Sequence, residues 1–286
     1  MERKLVYTVP QEADGIRLER FLMGMHGFSR RIVRTLKQRP DDILRNGSHI
    51  RMIDPVFFGD VITAILRDIK ETAAPSAVRV PVLYEDDDLV IYNKPPFLAM
   101  HPAKRHQSDT LANVYAASHP ESTFRPVYRL DRDTDGICVC AKNALAASRL
   151  AGRVEKTYTA VVSGGLPEDC GAIHAPIVQL QAHQMRRGVR ADGQRALTMY
   201  TVLKRTPSCT LLSLTLPTGR THQIRVHLAH IGCPLVGDTM YGVQNRGVKR
   251  QALSCTAVRF IHPATEKTVD LCINMHQDLE LLVQNE

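Results

Sequence analysis

The sequence lacks several features that would place a protein in a membrane or outside the cell. None of its 286 residues falls in an apolar run of about twenty, so we expect no transmembrane helix. The N-terminal segment MERKL lacks the apolar core of a signal peptide. The seven cysteines are odd in number and form no CxxC pair, which is typical of reduced, mostly buried thiols. Together these absences predict a cytoplasmic protein.

Length and charge indicate the organisation and the kind of partner. A chain of 286 residues is long enough for two domains that each bury a core. Its formal net charge of +8 and its pI near 9.2 favour a polyanionic partner, with nucleic acid ahead of a membrane surface. The charge therefore predicts a nucleic-acid-binding unit in this chain.

Residues 1–70 are interpreted as a small basic domain that begins with a helix. Asp14 is expected to cap this helix, and Gly27 is expected to end it. Apolar residues recur at helical spacing and are expected to face inward: Leu18, Phe21, Leu22 and Met25. The dipeptide Asn46-Gly47 predicts a two-residue β-hairpin turn further along.

A second helix in this domain carries a basic face. Ser29 is its expected cap, and the buried side is expected to consist of Ile32, Val33 and Leu36. The opposite side has cations at helical spacing, namely Arg30, Arg34 and Lys37. Arg45 and Arg51 extend the positive charge to the hairpin, which favours RNA binding over an ordinary solvated helix.

Residues 71–80 are interpreted as a linker and residues 81–286 as the second domain. This domain is rich in predicted strands, including 89–92, 159–163, 197–204 and 210–216. Asn143 is expected to cap a helix over 144–150, and the chain after a strand at 269–273 is expected to be a polar tail. The fold class is therefore α+β.

The most informative stretch is YRLDRDTDG at 128–136, which is followed by the apolar run ICVCA. The run predicts a buried strand, and Asp131 then lies on a loop at the mouth of that strand. Catalytic groups often occupy loops that a rigid strand holds in place. The same pattern also fits an ordinary solvated turn before a core strand.

Two further motifs follow this turn. KTY at 156–158 begins a strand, and TGRTHQIRVHLAHIG at 218–232 predicts a capped helix with Ile224, Leu228 and Ile231 inward and Gly232 at its end. Its three histidines do not have the HExxH spacing, and no carboxylate accompanies them in the motif. We therefore expect no metal site here.

These motifs resemble those of the RluA-like family of RNA pseudouridine synthases, whose members often carry an N-terminal S4-type RNA-binding domain. The resemblance covers nearly the whole chain. It implies a catalytic domain with a mixed, largely antiparallel sheet flanked by helices, and it departs at Tyr128, where the family has His, and at Asp135, where it has Ser. Ser254-Cys255 also replaces the family's His-Ala.

The resemblance implies a role for each matching residue. Asp131 would be the nucleophile, Tyr158 would stack on the target base, and Arg129 would fill the space that the flipped base leaves. Arg225 would pair with Asp131 through its planar fork, with Arg220 as the alternative partner. The substrate would be structured RNA, most plausibly 23S ribosomal RNA with tRNA as the alternative; no cofactor, metal or membrane is implied, and a monomer is expected.

Two other functions are compatible with the residues. Asp131 and Asp133 are two positions apart and are the candidate acid/base pair of a glycosidase, although such pairs need separations of about 5–9 Å across a substrate. A non-catalytic RNA-binding protein could also be built on these two domains. The combination of Asp131, Tyr158 and Arg225 favours the pseudouridine synthase.

Overall fold

The structure is a computed structural model that describes residues 2–67, 73–74, 76–103, 107–181, 184–242 and 247–284. Its described residues form two main sheets, one of four strands near the N-terminus and one of ten strands in the rest of the chain. No helix in these described ranges is long and apolar enough to cross a membrane.

The N-terminal sheet has the strand order β1-β4-β2-β3, and all its pairs are antiparallel. Its strands are β1 (Glu2–Thr8), β2 (Ile43–Arg45), β3 (Ser48–His49) and β4 (Val61–Arg67). The hairpin predicted at Asn46-Gly47 is confirmed, and both residues have positive φ, 52° and 85°. β1 was not predicted, although its alternating exposure is typical of a strand with one buried face.

The helices of this unit are α1 (Leu18–Arg20), which continues into a π-helical turn at Phe21–Met25, and α2 (Arg30–Lys37); short 3-10 turns lie at Gln11–Ala13 and Pro40–Asp42. The cap on α2 is confirmed, because Ser29 accepts a hydrogen bond from the Ile32 amide at 3.3 Å. The cap at Asp14 is wrong: its carboxylate accepts from the Phe58 amide instead, and Arg17 precedes α1. Met25 is exposed, because the wider π turn rotates it away from the buried face.

The second sheet has the order β10-β13-β14-β9-β15-β8-β6-β5, with β16 beside β15 and β7 beside β8. Its strands are β5 (Val82–Glu85), β6 (Leu89–Lys94), β7 (Arg125–Pro126), β8 (Asp135–Ala141), β9 (Glu155–Ser163), β10 (Cys170–His174), β13 (Leu197–Arg205), β14 (Cys209–Thr215), β15 (Leu253–Ile261) and β16 (Thr268–Cys272). β11 (Ile177–Gln179) and β12 (Arg187–Val189) form a separate ribbon. Only β8 and β15 pair in parallel among these described strands, so the predicted mixed, largely antiparallel sheet is confirmed.

Four helices accompany this sheet in the described part of the chain: α3 (Leu111–Ser118), α4 (Ala144–Leu150), α5 (Gln223–His230) and α6 (Gln277–Gln284). The Asn143 cap on α4 is confirmed, with a 2.9 Å hydrogen bond from the Ala146 amide. α5 has no side-chain cap, and Ile231 follows its end with 39% exposure, so both of those expectations are wrong. The predicted polar tail is also wrong, since α6 buries Leu279 and Val283.

The two sheets are joined by a packed contact through α4. Leu145 of α4 belongs to the same apolar cluster as the N-terminal core. Arg149 donates to the carbonyl of His26 at 3.0 Å, and Ser148 donates to that of Gly27 at 3.0 Å. In the predicted linker, residues 71, 72 and 75 lie outside the described residues, while Ala74 accepts a 2.6 Å hydrogen bond from Asn113.

Gly136 allows the closest backbone approach in the second sheet. It lies on β8 with φ +109° and pairs with both β6 and β15. A Cβ at this position would lie 2.2 Å from the carbonyl oxygen of Cys255. Glycine is therefore required both by the backbone angle and by the space, five positions after Asp131.

We expect Gly136→Ala to destabilise the protein by about 2–5 kcal/mol, combining left-handed strain with overpacking against backbone. Gly152→Ala is the matched control, because Gly152 also has positive φ (72°) but its Cβ would meet no atom within 4 Å. It should cost only about 1–2 kcal/mol. The measurement is the free energy of unfolding from urea titration. Equal losses in the two variants would show that the Cys255 contact is unimportant.

Candidate active site

Asp131 lies on a tight turn at the mouth of a cleft. The Thr134 amide donates to the Asp131 carbonyl at 3.2 Å and closes the turn, while Leu130 is buried beneath it. The Asp131 side chain is 27% exposed, so it is held by the protein but open to a ligand. The cleft is a small recess with a cavity volume of about 60 Å³. Its lining is Arg129, Leu130, Asp131, Thr134, Tyr158, Leu216, Arg220, His222, Gln223, Ile224, Arg225 and Leu253.

Arg225, rather than Arg220, contacts Asp131. It projects from the first turn of α5 and donates from Nη1 to Asp131 Oδ2 at 3.1 Å. The expectation that its fork would hold both oxygens of Asp131 is wrong, because Nε and Nη2 bind Asp238 at 2.7 and 2.9 Å. Only one oxygen of Asp131 is therefore hydrogen-bonded by the arginine.

Asp238 is the buried group that orients Arg225. Its side chain is fully buried, and Oδ1 also accepts from the amides of Met240 and Tyr241 at 2.9 and 3.1 Å. Burial raises the pKa of Asp238, but the hydrogen bonds and charge of Arg225 outweigh burial and hold that pKa below its usual value. Burial likewise lowers the pKa of Arg225, and Asp238 and Asp131 together raise it above its ordinary range. The arginine is therefore charged and fixed.

Sequence reasoning did not assign this role to Asp238. The available signal was an aspartate directly after Gly237, whose φ is +73° and whose Cβ would lie 2.2 Å from the Arg250 carbonyl. Glycine allows this close approach between backbone segments, and Asp238 follows it directly.

Tyr158 forms an apolar wall of the cleft. It lies on the central strand β9 and is 6% exposed. Burial, followed by the proximity of Cys255 and the charge of Asp131, raises its pKa well above the usual value, so the phenol stays protonated. The side chain offers the cleft a ring beside the nucleophile candidate.

The turn that carries Asp131 is anchored from two sides. Lys94 is fully buried and donates to the carbonyls of Pro95, Leu98 and Arg132 at 2.9–3.0 Å. On the other side, Arg250 donates to Asp135 at 2.8 Å and forms two 2.8 Å bonds with Asp278 of α6. These contacts fix the backbone on both sides of the turn.

The two departures from the family motif therefore have structural partners. Asp135 is 4% exposed and forms the buried ion pair with Arg250. Tyr128 donates its hydroxyl hydrogen bond to the Ile137 carbonyl at 2.8 Å, and Lys156 lies 5.0 Å from the centre of its ring. Neither side chain displaces Asp131 from the cleft.

The remaining predicted residues lie at the surface. Arg129 is exposed at the cleft and makes no hydrogen bond or ion pair with the part of the chain that is described. Arg220 is exposed and donates to the Arg195 carbonyl at 3.1 Å.

Arg30 and Arg34 are exposed on α2, whereas Lys37 pairs with Glu19 at 3.0 Å. Arg51 is paired with Asp54, and Arg45 lies 3.9 Å from Asp60. The free positive charge on the predicted RNA face is thus concentrated on α2.

The three histidines of the second motif diverge. His222 is buried beside Asp131, with Nε2 at 3.8 Å from Oδ2, so a carboxylate does accompany it in space. His227 points the other way and bonds Thr198 and the Ala175 carbonyl. Within the described ranges no group of three or more His, Cys, Asp or Glu side chains is arranged to hold a metal ion.

Comparison with known proteins places these motifs in context. A family profile described as RNA pseudouridylate synthase matches residues 88–230. The Bacillus subtilis protein named uncharacterized RNA pseudouridine synthase YjbO is 35% identical over 274 residues, covering 92% of this chain and 97% of that protein. Ribosomal large subunit pseudouridine synthase D of Xylella fastidiosa is 34% identical over 298 residues, covering 95% and 89% respectively.

A solved structure shares the fold. Human RNA Pseudouridylate Synthase Domain Containing 1 superposes with a TM-score of 0.58 over 72% of this chain and 94% of its own, at 24% sequence identity. This likeness concerns the fold of the large sheet.

We expect Asp238→Asn to lower the free energy of unfolding by about 3 kcal/mol at pH 7, because it breaks a buried pair around Arg225. The pKa of folded Asp238 is lowered, so its stabilising effect is present above the usual carboxyl value of 3.8 and is lost as pH falls through the lowered pKa. The difference between the unfolding free energies of the two proteins should therefore be constant from pH 7 to about pH 4 and should narrow below that pH. Asp54→Asn, in an exposed pair, is the control and should change little; a pH-independent difference for Asp238→Asn would contradict the assignment.

Proposed function

The chain belongs to the RNA pseudouridylate synthase family and is an RNA-modifying isomerase, and we propose that Asp131 is the nucleophile of its reaction. The observation that carries this proposal is the contact between Asp131 and the buried, oriented Arg225 at the mouth of a cleft walled by Tyr158. A carboxylate beside a fixed guanidinium has a partner for its charge and keeps one direction, as a nucleophile requires.

The reaction needs no external reagent. Asp131 attacks either C1′ of the sugar or C6 of the base, and the bond between N1 and C1′ breaks. The base then turns over, its C5 bonds to C1′, the carboxylate is released, the C5 proton is lost and N1 takes up a proton. Atoms and charge balance without a cofactor or a redox step, and the energetic demand is on positioning and on charge stabilisation.

Asp131 lies in a recess beside the buried side chains of Tyr158 and Arg225, so the target uridine has to leave its stack before it can reach Asp131. Flipping costs a few kcal/mol. We infer that the ring of Tyr158 returns about 1–3 kcal/mol by stacking on the flipped base. The exposed guanidinium of Arg129, with no partner among the described residues, is free to occupy the vacated space in the RNA.

Large-subunit ribosomal RNA is the substrate that we propose. Several relatives that align with nearly the whole chain are named ribosomal large subunit pseudouridine synthase D. Transfer RNA is the alternative, to be tested in the same assay. A monomer acting in the cytoplasm, where ribosomal RNA is available, completes the proposal.

We propose that residues 1–70 form an S4-like RNA-binding domain, joined through 71–80 to a catalytic domain at 81–286. The support is the exposed pair Arg30 and Arg34 on α2, which has no acidic partner in the described chain. The contacts of Arg149 and Leu145 hold this domain against the catalytic sheet. RNA bound on α2 would therefore have a fixed position relative to Asp131.

The glycosidase alternative is less well supported by the geometry. The Asp133 carboxylate is engaged by Arg132 at 2.6 Å on the outside of the turn, and it does not line the cleft. A general acid also needs a raised pKa, which an adjacent guanidinium opposes.

Asp131→Asn should abolish isomerisation, with a loss of at least about 10⁴-fold, because the amide is not a nucleophile. The measurement is tritium release from RNA labelled at C5 of uridine, with large-subunit ribosomal RNA and tRNA transcripts compared. Asp133→Asn is the matched control on the same turn and should stay near parental. Parental turnover by Asp131→Asn would refute the nucleophile, and an inactive Asp133→Asn would favour the two-carboxylate mechanism.

Replacing Arg30 and Arg34 together by Gln should weaken RNA binding and reduce the slope of log K against log salt by roughly 1.5, the value for two phosphate contacts. Filter binding at several salt concentrations measures this slope. Arg51→Gln is the control, because Asp54 already neutralises that arginine. An unchanged slope in the double variant would mean that α2 is merely a solvated surface.

A further inference from the structure

His222 is the one buried cleft residue, among those described, whose ring the preceding mechanism does not use. It is 8% exposed and precedes α5 with φ 57° and ψ 20°, a left-handed conformation that is uncommon for residues other than glycine. Strain of this kind costs about 1–3 kcal/mol and persists where the surroundings over-determine it, often at functional sites. The conformation brings the ring to the wall of the cleft, beside Asp131.

A chain of hydrogen bonds defines which ring nitrogen carries the proton. The Arg187 amide donates to the hydroxyl oxygen of Tyr241 at 2.7 Å. That hydroxyl lies 2.9 Å from His222 Nδ1. Among the described residues the hydroxyl hydrogen has no acceptor other than Nδ1, so we assign it there. Nδ1 is then the acceptor, and a neutral ring must carry its hydrogen on Nε2.

The charge state agrees with this tautomer. Burial lowers the pKa of His222, and although Asp131 opposes this effect, the net direction is downward. Burial likewise raises the pKa of Tyr241, so its hydroxyl keeps its hydrogen. The ring is therefore neutral at neutral pH and is a donor at Nε2.

The Nε2–H has no hydrogen-bond acceptor within the described chain. Its nearest carboxylate oxygen is Asp131 Oδ2 at 3.8 Å, beyond a hydrogen bond. That atom also receives the bond from Arg225. The donor thus points into the space next to the nucleophile, which an oxygen of a bound ligand can enter.

We propose that His222 Nε2–H donates a hydrogen bond to a carbonyl oxygen of the flipped uracil and stabilises the charge that forms there during the attack of Asp131. This inference rests on the proposed function. Attack at C1′ sends the electron pair of the N1–C1′ bond into the base, where O2 and O4 share the charge. Attack at C6 sends the C5–C6 π pair to O4. By either route a base carbonyl becomes more negative than in bound uridine, so the donor acts mainly in the transition state.

Asp238 connects this donor to the arginine. The Asp238 carboxylate accepts from the Tyr241 amide at 3.1 Å, and the Arg225 guanidinium lies 5.1 Å from the centre of the Tyr241 ring. One buried carboxylate thereby positions both the charged partner of Asp131 and the phenol that sets the tautomer of His222.

The test compares His222→Gln with His222→Met. The two side chains have similar length and pay the same left-handed backbone strain, but only Gln carries an N–H near the position of Nε2. We expect the Met variant to lose about 10²–10³-fold in kcat in single-turnover tritium release, with an unchanged Kd for RNA. The Gln variant should stay within about tenfold of the parent. Equal kcat values for Gln and Met, whether both parental or both inactive, would overturn the proposal.

A second measurement does not depend on any variant. In protein labelled with ¹⁵N-histidine, the ring of His222 should show a protonated Nε2 and an unprotonated Nδ1 at neutral pH. The opposite tautomer, or a doubly protonated ring, would refute the inference.

Asp131→Asn, run in the same kinetic assay, separates the proposed nucleophile from the proposed role of His222. If it retains turnover, the nucleophile proposal fails; if it is inactive while His222→Met is parental, only the role of His222 fails.

Discussion

The active site depends on a buried arginine that two carboxylates share. Arg225 is 7% exposed, and a guanidinium at that depth is tolerated only where hydrogen bonds and opposite charge compensate for lost hydration. Asp238 supplies that compensation through two hydrogen bonds and is itself held by two backbone amides. The position of Asp131 in the cleft is then determined by a group that is fixed independently of it.

The backbone around Asp131 is likewise held by side chains that lie outside the turn. Lys94 holds the carbonyl of Arg132, and Arg250 holds Asp135, so the turn is clamped by cations that belong to β6 and to the segment before β15. Burial lowers the pKa of Lys94 to about 8, which still leaves the side chain mostly charged at neutral pH, and its ammonium group donates to three backbone carbonyls. Arg250 also binds Asp278, which makes α6 part of the support of the turn although it lies at the end of the described chain.

Local sequence signals predicted the structure correctly where the residues of one short segment determine it. Asn46-Gly47 and the Ser29 cap depend on adjacent residues, and Arg225 was placed next to Asp131 by motif matching. The binding of Asp238 to Arg225 could not be derived, because it depends on how the chain after Gly237 folds back onto α5. The inward placement of Met25 and Ile231 failed because a π turn and a helix end interrupt the 3.6-residue period. The burial of Leu279 in α6 depends on a surface made by β9 and β14, which the short segment does not reveal.

The sharing of Arg225 also has a chemical consequence for Asp131. In a bidentate pair with a guanidinium, both oxygens of a carboxylate accept hydrogen bonds. Such a carboxylate is a poor nucleophile until one of these hydrogen bonds breaks. In this site Nε and Nη2 of Arg225 both bind Asp238, and Asp131 receives a single hydrogen bond, from Nη1, on Oδ2. Within the described residues Oδ1 has no hydrogen-bond donor, so it keeps its lone pairs available at the open side of the cleft. One bond is enough to fix the direction of a carboxylate whose backbone is already clamped. The arrangement thus combines an oriented carboxylate with one oxygen free of hydrogen bonds, as the proposed nucleophilic role of Asp131 requires, and a direct bidentate pair between Arg225 and Asp131 would not provide this.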